Sequence, residues 1–290
     1  MKDYSKYPRT SVIYSGAERK FEIVINKNRY IVKFQKNSEV GPMNNCISEY
    51  IGSHLFQMFG IDAQETYLGM CDGKQVVVMK NFLGPNEILV AFNGVGESSL
   101  ERDKEIYQYT YEDIICMLNE NVKSTNVMET IERFWDMFIV DALIGNFDRH
   151  GGNWGFIKKE GRYHIAPVYD NGSCLYPKCN SEDKMKRILS SKEEIDRRVY
   201  EFPTSHIKIG YKKSSYFEVI NSLSFPECNK ALERIMPRIH LKKVNQFIDD
   251  IEGISEFHRL FYKEMLKHRY EKILLPAYQK LKGGKENEIS

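Results

Sequence analysis

Near the middle of the chain, an apolar helical pattern runs directly into a polar loop, and two short runs of strand character follow. The apolar segment, Val127 to Ile144, is hydrophobic on nearly all sides, as expected of a helix buried inside a domain. The loop, Gly145 to Asn153, has the sequence GNFDRHGGN. The strand-like runs, Trp154 to Ile157 and Tyr163 to Val168, are separated by the turn-like residues KKEGR and predict a hairpin. The polar loop is therefore expected to lie between a buried helix and a hairpin.

Three oxygen-bearing side chains of this region are candidate site residues: Asp148 and Asn153 in the loop, and Asp170 just after the hairpin in the sequence YDNG. Phosphoryl transfer needs in-line placement, metal ions that hold phosphate oxygens, and a carboxylate that receives the proton of the attacking hydroxyl. Asp148 is the candidate for that carboxylate, and Asn153 and Asp170 offer oxygens of the kind that Mg2+ prefers. A single aspartate after a helix is most often a cap or turn former. The combined pattern predicts a kinase-like phosphotransferase.

Two further candidate residues, both charged, lie in the N-terminal third of the chain. Lys33 is in the strand-like run YIVKF, where a lysine is usually a solvent-facing residue of an alternating strand. In a kinase-like lobe, the same position points towards the α- and β-phosphates of ATP. Glu49 follows on a predicted helix, Asn44 to Gly60, although a glutamate near a helix N-terminus is also favoured by the helix dipole alone. We predict that Lys33 and Glu49 form an ion pair.

Two further segments are candidates for nucleotide contacts. The turn SGAERK contains Ser15, Gly16 and Ala17, whose backbone N–H groups could approach phosphates because Gly16 has no side chain. The alternative for this turn is an ordinary hairpin connection. The run Met79 to Phe82, with Asn81 inside it, could offer backbone groups and an apolar floor to adenine. A core strand that ends in a loop would have the same sequence pattern.

Composition excludes several other classes of protein. The formal net charge is +2 and the charges are interspersed, so the sequence shows no strong signal for nucleic-acid binding. No apolar run approaches the ~20 residues that span a bilayer, and the N-terminus lacks the apolar core of a signal peptide. The six cysteines contain no C-x-x-C pair, which argues against zinc or a disulfide framework. We expect a cytoplasmic protein, with export to a host cell left open.

In order and spacing, four segments resemble the HipA-like kinases, and in particular the minimal, single-domain type of that family. They are the loop GNFDRHGGNWGF, the closing APVYDNGS, the strand YIVKF and the helix bearing SEY. The resemblance implies an α+β fold of the two-lobed protein-kinase type. Residues 1–83 would form an N-terminal antiparallel sheet of five strands with one helix. Residues 84–282 would form a mostly helical C-terminal lobe with the catalytic loop 145–153 and Asp170, and residues 283–290 a disordered tail.

The resemblance also implies roles for individual residues. Asp148 would be the catalytic base, Lys33 would contact ATP phosphates and pair with Glu49, and Asn153 and Asp170 would hold Mg2+. His150 could contact the γ-phosphate or brace the loop, and we favour bracing.

In place of the Gly-Ala-Gln-like phosphate loop of HipA itself, this chain has YSGAERK, with Glu18 instead of the amide. By analogy with the regulatory serine of that loop, Ser15, or less favourably Ser11, is a candidate for autophosphorylation.

The implied function is that of an ATP- and Mg2+-dependent serine/threonine protein kinase that acts on itself and on at least one other protein. The loop is also similar to the DRHxxN loop of phosphatidylinositol kinases, so a lipid headgroup or small molecule is an alternative acceptor. A nucleotide-binding scaffold without turnover is a third possibility. The scaffold is disfavoured because all five positions expected to be needed for catalysis carry residues that are chemically suited to their roles: Lys33, Glu49, Asp148, Asn153 and Asp170.

Overall fold

The computed structural model describes residues 1–12, 14, 19–39, 41–96, 111, 112, 114, 115, 126–209 and 212–289. The chain forms two compact units. The first contains Met1–Phe82, Pro167–Ser191 and Leu241–Glu264, and the second contains Leu83–Ala166, Lys192–His240 and Met265–Ser290.

The first boundary lies one residue from the predicted division after residue 83. The grouping of the later segments differs from the prediction, because Asp170 falls in the first unit and not with the loop 145–153. The chain returns to the N-terminal unit through a bridge between Ala63 and Val168 and a backbone hydrogen bond from Gln64 N to Val168 O, 2.9 Å long.

The first unit is built on a five-stranded sheet in the order β1-β6-β7-β3-β2. The strands are β1 (Lys2–Asp3), β2 (Lys20–Ile25), β3 (Asn28–Phe34), β6 (Thr66–Cys71) and β7 (Lys74–Lys80); a separate small hairpin pairs β4 (Asn37–Ser38) with β5 (Gly41–Pro42). β1 is parallel to β6, and the other neighbours in the large sheet are antiparallel.

The apolar and aromatic residues of the run Ser11 to Tyr14 (SVIY) predict a strand. The run is not part of this sheet, since its described residues, 11, 12 and 14, have no strand structure. Just before it, Arg9 forms only an isolated bridge with Ile23. Pro8 has no N–H group with which to extend that bridge into a ladder. β1 occupies the opposite edge and brings the number of strands to five.

Helix α1 (Asn45–Met58) covers one face of the sheet and contacts β6 and β7. Its apolar stripe, which includes Cys46, Ile47, Ile51 and Leu55, is fully buried, and Gly60 follows it in the left-handed conformation that commonly ends helices. Helix α4 (Glu182–Ser190), helix α8 (Leu241–Asp249) and the first part of helix α9 (Glu256–Arg269) complete the first unit.

The second unit is organised around helix α3 (Val127–Ile144), which has the predicted bounds. Asn126 caps its start by accepting a hydrogen bond from Glu129 N, and Gly145 ends it at φ 62°. The hairpin that follows consists of β9 (Gly155–Lys159) and β10 (Arg162–Ile165), and β8 (Ile88–Ala91) pairs with β9.

Other elements of the second unit are α2 (Phe92–Gly96), α5 (Lys192–Asp196), a π-helical turn (Arg197–Glu201), β11 (Thr204–Ile209), β12 (Lys212–Ser215), α6 (Tyr216–Ser222) and α7 (Pro226–Ile235). From Tyr111 the amphipathic sequence EDIICMLNEN predicts a further helix, and this stretch lies mostly outside the described residues. Among the described residues, no helix combines the length and apolar character needed to cross a bilayer.

The end of the chain differs from the predicted disordered tail. Helix α9 continues through a π-helical turn (Tyr270–Leu274) into helix α10 (Leu275–Ile289). Gly283 and Gly284 each disfavour a helix by about 1 kcal/mol relative to alanine, but they retain their backbone N–H groups and do not interrupt its hydrogen bonding as proline would.

The buried residue His258 makes the stability of the first unit dependent on pH. Burial lowers the pKa of its imidazole to about 4, although the carboxylate of Glu182 acts in the opposite direction. The unfolded chain, with a histidine pKa of about 6.5, therefore takes up a proton before the folded chain does. The contribution of His258 to the free energy of unfolding is constant above about pH 6.5. Between that pH and about pH 4, the free energy of unfolding falls by up to about 3 kcal/mol.

Urea unfolding at several pH values between 7 and 4.5 measures this effect. We expect His258→Gln to show a shallower loss of unfolding free energy on acidification than the wild-type chain. Equal pH dependence of the two proteins would contradict the assignment.

Candidate active site

In the first unit, Lys33 lies on β3 between two carboxylates. Its Nζ is 3.1 Å from Glu49 Oε2 and 3.2 Å from Asp170 Oδ1. The Lys33 and Glu49 side chains are 6% and 0% exposed, whereas that of Asp170 is 42% exposed. The structure therefore brings together three of the predicted site residues, with Asp170 as the member of the group that reaches solvent.

The two carboxylates keep Lys33 charged. Burial alone would lower the pKa of its ammonium group, but the negative charges of Glu49 and then Asp170 outweigh burial, so that the pKa is raised. A permanently protonated lysine cannot act as a base at physiological pH. It is suited to bind anionic groups such as phosphate oxygens.

The backbone at Asp170 has an unusual conformation, which its neighbour stabilises. Asp170 has a φ of 57°, a left-handed conformation that few residues with side chains adopt. Asn171 N donates a 2.6 Å hydrogen bond to Glu49 Oε1, and Asn171 Nδ2 donates to Ser53 Oγ at 3.1 Å. A Cβ atom at Gly52 would lie 2.5 Å from the Asn171 Cβ, so α1 approaches this segment closely only because residue 52 is glycine.

Sequence reasoning assigned no role to Asn171 and found only Asp170 in YDNG. The structure shows that Asn171 is buried and connects the Asp170 segment to the same glutamate that pairs with Lys33. The only local signal was turn chemistry, because Asn and Asp both favour such backbone conformations.

In the second unit, Asp148 and Asn153 are joined within the loop 145–153. Asn153 Nδ2 donates a 2.7 Å hydrogen bond to Asp148 O and lies 3.5 Å from Asp148 Oδ2. Asp148 N donates to Asn146 Oδ1 at 3.1 Å, and the Asp148 side chain is 45% exposed. These bonds fix the backbone around an accessible carboxylate, and they leave the oxygen of the Asn153 amide on the side away from Asp148.

A buried ion pair between Arg149 and Asp141 stabilises the loop 145–153. Arg149 donates to both carboxylate oxygens of Asp141, with Nε–Oδ2 and Nη2–Oδ1 distances of 2.9 and 3.1 Å. Arg149 Nη1 also donates to Asn153 O at 2.9 Å, and Asn146 Nδ2 donates to Asp141 Oδ1 at 3.0 Å. Asp141, at the end of α3, thereby holds the loop through two of its residues.

Asp141 is buried, and its ion-pair partner is Arg149. A carboxylate in a buried helix requires a partner because an isolated buried charge is costly. That requirement was readable from the sequence, but the identity of Arg149 as the partner was not.

Three further side chains hold the loop backbone. His150 Nδ1 lies 3.0 Å from Gly152 N, which donates to it, and this contact fits the bracing role that we favoured for His150. His206, on β11, donates from Nε2 to Phe147 O at 3.1 Å, and Tyr216 OH donates to Asn146 O at 2.7 Å. Burial, reinforced by the positive charge of Lys213, lowers the pKa of His206 to about 4, so His206 is neutral at physiological pH. Sequence reasoning missed His206 and Tyr216.

Tyr216→Phe is expected to lower the free energy of unfolding by about 1–3 kcal/mol, because it leaves the carbonyl of the buried residue Asn146 without its donor. The measurement is denaturant unfolding, with Tyr163→Phe in the β9–β10 hairpin as the matched control. The explanation would be wrong if the two substitutions had the same effect.

Two segments were predicted to contact the nucleotide, residues 15–17 and residues 79–82, and the structure describes only the second. Ser15, Gly16 and Ala17 lie outside the described residues. Met79, near the end of β7, packs in a buried cluster with Cys46 and Val77.

Asn81 follows β7 and donates from Nδ2 to Glu22 Oε2 at 3.1 Å, while its N donates to Arg29 O at 2.9 Å. The ring of Phe82 lies 6.2 Å from that of Tyr169. The strand end is thus fixed by side-chain contacts, and adenine binding there stays a prediction.

Among the described residues, side chains alone do not form a closed metal site. The described part of the chain has no group of three or more His, Cys, Asp or Glu side chains that could hold a metal ion. Mg2+ commonly takes only one or two protein oxygens, together with waters and substrate phosphates. Asp170 in the first unit and Asn153 in the second fit that chemistry because one offers a carboxylate and the other an amide oxygen.

Comparison with known proteins places the chain in a family. The HipA-like C-terminal domain model matches residues 12–240. The chain belongs to the HipA-like family. It is 35% identical over 274 residues to the serine/threonine-protein kinase CtkA of Helicobacter pylori strain J99, a match that covers 91% of this chain and 83% of that protein.

Solved structures agree with this assignment. The crystal structure of the Helicobacter pylori proinflammatory kinase CtkA matches with a TM-score of 0.89 and 33% identity, and the match covers 96% of each chain. HipA of Shewanella oneidensis MR-1, solved with HipB and operator DNA, matches with a TM-score of 0.60 and 16% identity over 94% of this chain and 67% of that chain. The second likeness concerns the fold alone. The predicted fold class, an α+β fold of the protein-kinase type, is confirmed.

Proposed function

We propose that this HipA-like chain is an ATP- and Mg2+-dependent serine/threonine protein kinase that transfers the γ-phosphoryl group to a protein hydroxyl. The observation that carries the proposal is the buried, charged Lys33, which lies between Glu49 and the solvent-reaching Asp170. Such a lysine–glutamate pair beside a metal-binding aspartate is required for activity in kinases. The name of the Helicobacter pylori relative, serine/threonine-protein kinase, supports the same class of reaction.

We assign nucleotide and metal binding to the following residues. Lys33 binds phosphate oxygens and is held in place by Glu49. Asp170 and the loop residue Asn153 are the residues that would hold Mg2+. Bound there, the metal ion would neutralise charge on the phosphate oxygens. Backbone groups of Ser15, Gly16 and Ala17 would contact the phosphates, and Met79, Asn81 and Phe82 would lie along the adenine.

The second unit would supply the base. Asp148 accepts the proton of the attacking serine or threonine hydroxyl, because its carboxylate is accessible while its backbone is held by Asn146 and Asn153. A positioned general base of this kind contributes about 10²–10⁴-fold to the rate. His150 braces the loop through its contact with Gly152 N.

We further propose that the enzyme phosphorylates itself, with Ser15 as the first candidate and Ser11 as the second, and that it acts in a reducing compartment such as the cytoplasm. Three cysteines among the described residues are buried free thiols, which supports the second point: Cys46, Cys71 and Cys228.

Incubation with γ-labelled ATP and Mg2+ tests the function and the acceptor class together. The protein is assayed alone, with a mixture of unphosphorylated proteins, and with liposomes that contain phosphatidylinositol. We expect label on serine or threonine of polypeptides and loss of labelling when EDTA is added. Label in lipid alone would show a lipid kinase, and nucleotide binding without any transfer would show a scaffold.

A further inference from the structure

The segment Leu241–Glu264 belongs to the first unit, although it lies more than 150 residues from α1 in sequence and beyond the residues matched by the family model. It contains α8 and the first part of α9. Within the first unit, this segment contacts the helix that carries Glu49.

The main contact is a stack of three rings. The ring of Phe247, on α8, lies 5.7 Å from the ring of Tyr50 at 30° and 5.2 Å from the ring of His54 at 18°. Tyr50 and His54 are one turn apart on α1, and their own rings are 4.1 Å apart. Phe247 therefore packs against two successive turns of α1. One of its two partners, Tyr50, directly follows Glu49 in the sequence.

A second contact holds the start of the same helix. Asn44, the residue before α1, lies with its Nδ2 3.3 Å from His258 Nε2. The neutral imidazole of His258 can accept this hydrogen bond, since burial lowers its pKa. The segment is also tied to the N-terminus through an ion pair between Glu252 and the Met1 ammonium group, 2.5 Å long.

These contacts bracket Glu49 along the helix. Asn44 lies five residues before it, and Tyr50 and His54 lie one and five residues after it. A helix rotates and shifts as a unit, so contacts on both sides of Glu49 fix the direction in which its carboxylate points. The Glu49 carboxylate cannot reorient independently of the helix, because it is fully buried and accepts hydrogen bonds from Lys33 Nζ and Asn171 N.

We propose that segment 241–264 is an intramolecular brace that sets the position of α1, and that Phe247 is a positioning residue for the Lys33–Glu49 pair. The proposal rests on the proposed kinase function, in which the position of this helix decides whether the pair is formed. The brace holds α1 through side-chain contacts within the first unit.

The alternative is that Phe247 contributes only to packing. In that case, loss of the ring lowers the stability of the protein, but the folded molecules retain their turnover rate. The two possibilities are separated by measuring turnover and the folded fraction on the same samples.

The test uses Phe247→Ala, Phe247→Tyr and, as a matched control, Phe257→Ala in the full chain. Phe257 is a partly buried aromatic residue of the same segment that packs against Lys186 and not against the rings of α1. We expect Phe247→Ala to lower kcat at saturating ATP about tenfold per folded molecule. Phe247→Tyr restores the rate because it restores the ring, and Phe257→Ala leaves it unchanged.

A double-mutant comparison shows whether Phe247 acts through Glu49. In a Glu49→Gln background, Phe247→Ala should have little further effect on the residual kcat. An unchanged kcat for Phe247→Ala, or an equal further loss in the Glu49→Gln background, would overturn the proposal.

If Phe247→Ala does not fold, Phe247→Leu takes its place. We expect Phe247→Leu to lower kcat per folded molecule by a smaller factor, and an unchanged kcat would again overturn the proposal. Absence of phosphoryl transfer by the wild-type chain would instead refute the kinase assignment on which the brace depends.

Discussion

Replacement of Asp148 by asparagine is expected to lower the rate of phosphoryl transfer by about 10²–10⁴-fold while nucleotide affinity stays nearly unchanged. The amide is close in size to the carboxylate, and the main-chain bonds from Asn153 Nδ2 to Asp148 O and from Asp148 N to Asn146 remain possible. The variant loses only the ability to accept a proton. The measurement is a single-turnover rate at saturating ATP and acceptor, together with a nucleotide-binding titration.

Asp183→Asn is the matched control for this variant. Asp183 is an exposed aspartate in the first turn of α4, where the same chemical change removes only a favourable interaction with the helix dipole. A near-normal rate for Asp148→Asn, or a rate loss matched by Asp183→Asn, would show that Asp148 is not the base.

Lys33→Met is expected to lower the free energy of unfolding by about 3–5 kcal/mol and to abolish phosphoryl transfer. The change leaves Glu49 as a buried carboxylate without its cationic partner, and it removes the charge that would bind phosphate. Denaturant unfolding measures the first effect, and transfer from labelled ATP measures the second. Lys80→Met is the control, because Lys80 forms a solvent-exposed pair with Glu65 of a kind that contributes only about 0–1 kcal/mol.

The double variant Lys33→Met with Glu49→Gln separates stability from catalysis. Glutamine carries no charge to bury and still offers an oxygen to Asn171 N, so most of the lost stability should return. Transfer should stay absent because the phosphate-binding charge is still missing. Recovery of transfer in the double variant would exclude the role proposed for Lys33.

Local patterns predicted a large part of this molecule. The apolar periodicity of α3 gave both of its ends, since a capping asparagine and a left-handed glycine mark them. The pairing of Lys33 with Glu49 was predictable because the strand and the helix each have a clear pattern and lie close together in sequence. The D-x4-N spacing indicated that Asp148 and Asn153 belong to one loop, and a hydrogen bond joins them.

Contacts over long sequence distances were not predictable. His206 and Tyr216 reach the carbonyl groups of Phe147 and Asn146 from 59 and 70 residues away, and no local pattern marks them. The two-residue strand β1 was missed because it is too short to show alternation.

The attachment of residues 241–264 to the first unit was missed for a related reason. A helical pattern shows which face of a helix is apolar, but it does not show which helix packs on that face.

Binding of Mn2+ in place of Mg2+, followed by electron paramagnetic resonance with a non-hydrolysable ATP analogue, tests the metal-binding roles proposed for Asn153 and Asp170. We expect Asn153→Ala and Asp170→Ala each to weaken Mn2+ binding in the ternary complex by about tenfold or more. Asp183→Ala should leave it unchanged. Normal Mn2+ binding by either the Asn153 or the Asp170 variant would contradict the account.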